Sequence, residues 1–95
     1  VLLDPYLSDQ GATPPINNTP NPRPNPLVPL PMPASEVVGA ADVTLLTHTH
    51  FDHWDPVARD LLPKDRPVLV QPADRDRVLQ AGFTDVRAIE TTLTW

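Results

Sequence analysis

An α/β fold with a largely parallel local sheet is what this sequence predicts, on three observations. Short apolar runs recur at Val1–Leu3, Val43–Leu46, Val68–Val70 and Val86–Ile89. Two of the gaps between them carry apolar residues at helical spacing. Proline and glycine stand where those helical stretches should start and stop. Strands alternating with helices imply βαβ units joined by right-handed crossovers.

Each element has its own signal. Val1-Leu2-Leu3 reads as a short buried strand ended by Asp4-Pro5, because proline cannot continue a central ladder. Residues 9–35 hold nine prolines, from Pro14 to Pro33, with Asn17, Asn18, Asn21 and Asn25 among them. Fixed φ and missing N–H donors exclude helix and sheet interior there, so an extended, partly polyproline-like, exposed loop is expected. It is either a surface linker or a long loop folding over a site. The texture changes at Ala40, and Asp42 to Thr47 is predicted as a strand. Asp55-Pro56 then reads as a helix start, with a carboxylate at the N-cap and proline at the first helical position. Val57, Ala58, Leu61 and Leu62 give that helix an apolar stripe, and Pro63 and Pro67 close it. After the strand Val68–Val70, Pro72 opens a second helix through Ala81, with Val78 and Leu79 inward and Gly82 as its terminator. Asp74, Arg75, Asp76 and Arg77 are expected to form a plain charged face of that helix.

Composition narrows the function. Ninety-five residues fit one small domain or a piece of a larger one. With 40% hydrophobic but only 5% aromatic residues, the core must be built from Val, Leu, Ala and Ile. The net charge is −5 without a basic run, which argues against nucleic acid as the main partner. Cysteine is absent, so disulfides, thiolate metal sites and a cysteine nucleophile are excluded, though no compartment is assigned by this. No apolar run approaches the ~20 residues of a membrane span. No signal peptide is recognisable, and a cytoplasmic location is the default expectation. The chain opens within an apparent strand and without an initiator Met, so it is read as a piece of a longer protein.

The chemistry concentrates in His48-Thr49-His50-Phe51-Asp52-His53, which contains all three histidines of the chain. Side chains alternate along extended backbone, so His48, His50 and Asp52 should point one way. His53 has the opposite parity and needs a turn near Asp52 to join them. The cluster follows a predicted strand, and ligand sites in open α/β sheets form beyond the carboxyl ends of strands. Incidental histidines in a polar loop, or a purely structural metal, are the alternatives. Structural zinc sites are usually closed by four protein ligands and often use cysteine, so an open His/Asp site fits better.

These six residues match the His-x-His-x-Asp-His signature of the metallo-β-lactamase fold hydrolases, and the likeness covers nearly the whole chain. Leu2-Leu3-Asp4-Pro5 resembles the family's first motif, a strand ending in Asp, and Ala41–Thr47 resembles the strand feeding the signature. Asp55 after Trp54, in place of a glycine common in many branches, is similar to the ascorbate-6-phosphate lactonase-like branch. The Asp-Pro start, the Pro/Arg-containing loop and the Asp-His-x-Asp ending also resemble the N-acyl phosphatidylethanolamine phospholipase D-like branch. The resemblance implies part of an αββα sandwich, with residues 1–95 as the N-terminal portion of one domain. It implies that His48 and His50 hold one divalent metal, Asp52 and His53 a second, and Asp4 braces the signature loop. Zinc is the first expectation, with manganese and iron as alternatives. Metal-bound hydroxide would hydrolyse a small-molecule lactone, ester or phosphodiester. Asp52 would orient the attacking water or serve as a plain ligand or cap. Arg23, Tyr6 and Trp54 are candidate substrate contacts, each with a solvated or packing role as the alternative. A nuclease of the same superfamily and a degenerate metal-binding fold without catalysis are the rival functions; the oligomeric state is open.

The family completes its sites with a further His, a bridging Asp and a final His, and no His follows His53. Asp60, Asp65, Asp74, Asp76, Asp85 and Glu90 are read as solvated carboxylates of helices and turns, not as replacements. The 95-residue chain alone is therefore expected to bind metal weakly and to show little turnover. Robust hydrolysis of a generic ester by the purified chain, lost in His50→Ala, would overturn that expectation.

Overall fold

The computed structural model describes residues 1–15, 18, 20, 22–50 and 52–90. Asn17 and Asn21 of the proline-rich segment and Phe51 of the six-residue cluster lie outside the described residues. Four strands, β1 (Leu2–Leu3), β2 (Thr44–Leu46), β3 (Val68–Val70) and β4 (Val86–Ala88), form one sheet in the order β1-β2-β3-β4. All three pairings are parallel, with Leu2 opposite Thr44, Thr44 opposite Val68 and Val68 opposite Val86. Three helices lie in the crossovers: α1 (Ala34–Gly39), α2 (Pro56–Leu61) and α3 (Arg75–Gln80). A short 3₁₀ turn, Pro72–Asp74, leads into α3.

Right-handed crossovers that always step to the next strand place their helices on a single face of the sheet. Burial agrees. Leu46, Val68, Val70 and Val86 share one core cluster with Val38 of α1, Ala58 of α2, Val78 of α3 and the following Phe83. In the alternate row Leu3 is 57% exposed and Arg87 is also exposed. The sheet therefore has one helix-covered face and one more open one.

The predicted strands and two of the helices are present, with shorter bounds. Asp42 and Thr47 fall outside β2, because the ladder runs only as far as the three residues of β3 that it pairs with. Asp55 caps α2 as expected, accepting a hydrogen bond from Ala58 N at 3.0 Å, with Pro56 in the first turn. Leu61 departs from the predicted stripe at 43% exposure. The helix is six residues long, and its inward face is completed by Ala58 and Leu62, one helical turn apart. Val78 is buried and Leu79 packs against the core edge. Gly82 follows the last turn of α3 with φ +103, a conformation that a side chain would strain.

Two features correct the sequence reading of residues 9–40. Helix α1 begins at Ala34, inside the stretch taken as loop. Six residues are too few to be stable alone, so its support is tertiary. Val38 enters the core, and Arg66 Nη1 donates to Val38 O at 2.5 Å at the helix end. The proline-rich segment, in turn, folds back on itself instead of running extended. Thr13 and Asn25 exchange two backbone hydrogen bonds of 2.9 Å, and Gly11 N donates to Pro26 O. Gly11, Thr13 and Asn25 have the N–H donors that proline lacks, and those donors close the loop.

Asp55 does more than cap. It is fully buried, and its Oδ1 also accepts Leu7 N at 3.0 Å while Oδ2 accepts the Ser8 hydroxyl. One carboxylate thus fastens the segment after β1 to the start of α2. Removing it strands buried donors, so Asp55→Ala should destabilise the fold by about 3 kcal/mol. Asp55→Asn, which keeps an acceptor for the two N–H groups, should cost less. Denaturant unfolding of the two variants checks the order, and equal stabilities would contradict it.

Candidate metal centre

At the carboxyl end of β2 the chain runs from Thr47 into the histidine cluster. The backbone turns at Asp52 and His53, where His53 N and Trp54 N both donate to His50 O, at 2.9 and 3.0 Å. This turn brings His53 back beside the others. The His48 ring lies 4.7 Å from that of His50 and 3.9 Å from that of His53, centroid to centroid. Ligand-capable atoms of His48, His50 and Asp52 all lie within 4.8 Å of one another, with His48 half-buried and the other two exposed. Bonds of about 2.1 Å to one ion would place tetrahedral ligands about 3.4 Å apart. Small torsional adjustments of exposed side chains close that difference, so the donor set fits a hard or borderline divalent cation. His53 stands just outside the triad, with Nε2 at 3.7 Å from Asp52 Oδ2.

Asp4 organises the cluster from the neighbouring strand. It follows β1 with φ +43, a left-handed conformation that aspartate tolerates better than most residues. Its Oδ1 accepts Thr47 N at 2.7 Å. Its Oδ2 accepts the Thr47 hydroxyl at 2.6 Å and meets His53 Nδ1 at 2.9 Å. Burial pushes the Asp4 carboxyl up, but the hydrogen bonds from Thr47 and His53 and the His53 charge outweigh it and hold the group below the ordinary carboxylate range. A carboxylate only accepts, so His53 Nδ1 carries the proton in this contact. The Thr47 hydroxyl has spent its proton on Asp4, so His48 Nδ1, 3.0 Å away, is the donor there. In the neutral rings both assignments leave Nε2 with its lone pair for a cation.

A second set of contacts arrives from β3 and α3. Thr49, between His48 and His50, is buried, and its hydroxyl donates to Asp74 Oδ1 at 3.0 Å and accepts from Arg77 Nη1 at 2.9 Å. Asp74 Oδ2 accepts Gln71 Nε2 at 2.5 Å. Burial again pushes the Asp74 carboxyl up, and Gln71, Thr49 and the charges of Arg77 and His48 pull it below the usual range. Asp74 and Arg77 are thus bound into the signature loop, which corrects their reading as a solvated helix face. Nothing in the alternating Asp-Arg stretch itself signals this contact.

Tyr6 and Arg23 belong with the proline-rich loop, and Trp54 directly follows His53. The Tyr6 hydroxyl donates to Thr13 Oγ1, which itself donates to Asn25 O at 2.9 Å, so Tyr6 anchors the folded-back loop. Arg23 is exposed on that loop, beside a hollow of about 180 Å³ shared with Gln10, Gly11 and Leu27. Trp54 is 7% exposed and packs on Phe83 with centroids 5.8 Å apart. Its edge also lines a cleft of about 470 Å³ with Thr49, Pro56, Arg59 and Arg77. No helix among the described residues is long and apolar enough to cross a membrane.

No family model matches the chain. The UPF0173 protein YddR of Bacillus subtilis (strain 168) is 36% identical over 90 residues, which cover 93% of this chain and 35% of that protein. The crystal structure of a possible metal-dependent hydrolase from Veillonella parvula DSM 2008 superposes with a TM-score of 0.92 at 35% identity, over 98% of this chain and 36% of the other. That of isothiocyanate hydrolase from Delia radicum gut bacteria gives 0.85 at 34% identity, over 93% and 34%. The chain spans about a third of the length of each of these relatives.

The contacts of Asp4 lead to a direct expectation. Asp4→Ala leaves the donors of Thr47 and His53 without their acceptor, and loss of such outer partners typically weakens metal affinity about 10- to 100-fold. Competition with a chromophoric chelator, using the intact protein and Zn²⁺, measures the change; unaltered affinity would separate Asp4 from the metal centre.

Proposed function

The chain has part of the metallo-β-lactamase fold, and from that premise we propose that the protein carrying it is a metal-dependent hydrolase of a small electrophilic substrate. The observation that carries this reading is the convergence of His48, His50 and Asp52 at the end of β2. The likeness to a possible metal-dependent hydrolase supports it.

In this reading His48 and His50 hold one divalent ion through Nε2, and Asp52 and His53 contribute to a second. Residues from the rest of the protein complete both. Zinc suits imidazole and carboxylate donors, and manganese and iron accept them too. When bound, such an ion lowers the pKa of a coordinated water towards neutrality and polarises the substrate. The chain's own residues do the positioning. Asp4 holds His53 and, through Thr47, His48 in the tautomers that present Nε2. The Asp52 carboxylate, exposed beside His48 and His50, would accept a hydrogen bond from an attacking water and orient it.

The substrate class follows from what this chemistry attacks: a carbonyl, phosphoryl or heterocumulene centre. Lactones, esters and phosphodiesters are candidates. An isothiocyanate is added because one structural relative at 34% identity is an isothiocyanate hydrolase. The net charge of −5 favours a small molecule over nucleic acid.

The test is to assay the intact protein, loaded in turn with Zn²⁺, Mn²⁺ and Fe²⁺, against one member of each class. Hydrolysis of at least one is expected, together with loss of more than about 100-fold in His50→Ala, since a direct ligand matters more than an outer partner. Elemental analysis is expected to find less metal in His48→Ala/His50→Ala. Unchanged metal content would remove the basis of the assignment.

A further inference from the structure

Two loops meet at the histidine cluster from opposite sides. Asp4, from the end of β1, reaches Thr47 and His53. Asp74 and Arg77, from the end of β3 and the first turn of α3, reach Thr49. The parallel pairing of β1, β2 and β3 explains why these partners arrive together. Adjacent parallel strands end at the same edge, so the three following loops share one rim.

Thr49 has an uncommon position in that rim. It is the residue between His48 and His50, and its hydroxyl is used in both directions at once. One proton goes to Asp74 Oδ1 at 3.0 Å and one lone pair takes the Arg77 proton at 2.9 Å. Asp74 is itself held by Gln71, and Thr49 is 9% exposed. A hydroxyl fixed by a donor and an acceptor from two successive turns has little freedom to rotate. The backbone that carries it has little more. His48 and His50 flank it on that backbone, with ring centroids 4.7 Å apart.

We infer that Thr49, clamped by Asp74 and Arg77, is a positioning residue that sets the spacing of His48 and His50 and so the affinity of the metal site. The inference rests on the reading of those histidines as metal ligands. Asp74 and Arg77 act through Thr49 and do not touch the metal. Ser at position 49 would preserve the clamp, because it keeps the hydroxyl; Val would remove it while keeping the volume of Thr.

The experiment uses the intact protein and Zn²⁺ in chelator competition, with the visible absorption of the Co²⁺-loaded form as a second readout. Thr49→Val is expected to bind Zn²⁺ about 10- to 100-fold more weakly and to shift the Co²⁺ bands. Thr49→Ser is expected to stay near the parent in both. Should Thr49→Val fail to fold, Asp74→Ala tests the same clamp from a half-buried position, with the same expected weakening. His50→Ala runs alongside. Parent-like affinity and spectrum in Thr49→Val or Asp74→Ala, while His50→Ala loses metal, would overturn the clamp and leave the metal site standing. Equal weakening in Thr49→Ser and Thr49→Val would also overturn it. Full metal retention in His50→Ala would instead bring down the ligand assignment, and the clamp with it.

Discussion

A single carboxylate joins the first strand to the functional loop. Asp4 can only accept hydrogen bonds, and it takes three: the Thr47 amide, the Thr47 hydroxyl and the His53 ring. That one-way chemistry propagates. Because Asp4 accepts, Thr47 must spend its proton there; because Thr47 has spent it, His48 must donate from Nδ1. The orientation and tautomer of two imidazoles therefore follow from one residue on a neighbouring strand. The geometry depends on the left-handed backbone of Asp4 and on the β1–β2 register, which places Leu3 opposite Leu45.

Asp55 plays the complementary part on the other side of the loop. It is buried with its acceptor capacity directed at Leu7, Ser8 and Ala58. Asp4 opens the stretch after β1 and reaches the histidine loop, while Asp55 follows the histidine loop and reaches back to Leu7 and Ser8, so the two segments are tied at both ends. A buried carboxylate is costly unless its partners are in place, and here backbone and side-chain donors supply them. Between the two ties stand the histidines and Asp52.

Much of this was legible in the sequence, and what was not has physical reasons. Strands were readable because a sheet flanked by helices demands continuous apolar runs, such as Val68-Leu69-Val70. The start of α2 was readable because an aspartate followed by proline satisfies a local rule. Local rules could not reveal α1: six residues have no independent stability, and tertiary contacts hold them in a helix, among them the packing of Val38, Val37 and Ala34 and the Arg66 hydrogen bond. Proline density concealed the folded-back loop, since the donors that close it belong to Gly11, Thr13 and Asn25. At the candidate site the histidines advertised themselves by type. Asp74 and Arg77 did not, because an alternating charged stretch on a short helix looks the same whether it faces water or a threonine 25 to 28 positions away.

The ties that shape the loop all span long stretches of chain: 43 residues from Asp4 to Thr47, 49 from Asp4 to His53 and 48 from Leu7 to Asp55. Closing a flexible loop of that length costs about 3 kcal/mol of chain entropy beyond a constant. Contacts of such separation are not local, and the pairing of β1 with β2 offsets their closure cost. The donor array is thus ordered by the sheet beneath it. In this respect it is the reverse of a zinc finger, where the ion gathers an otherwise unfolded chain. Here the parallel strands and the loops at their rim hold the ligands, and a cation would meet an order decided by the sheet.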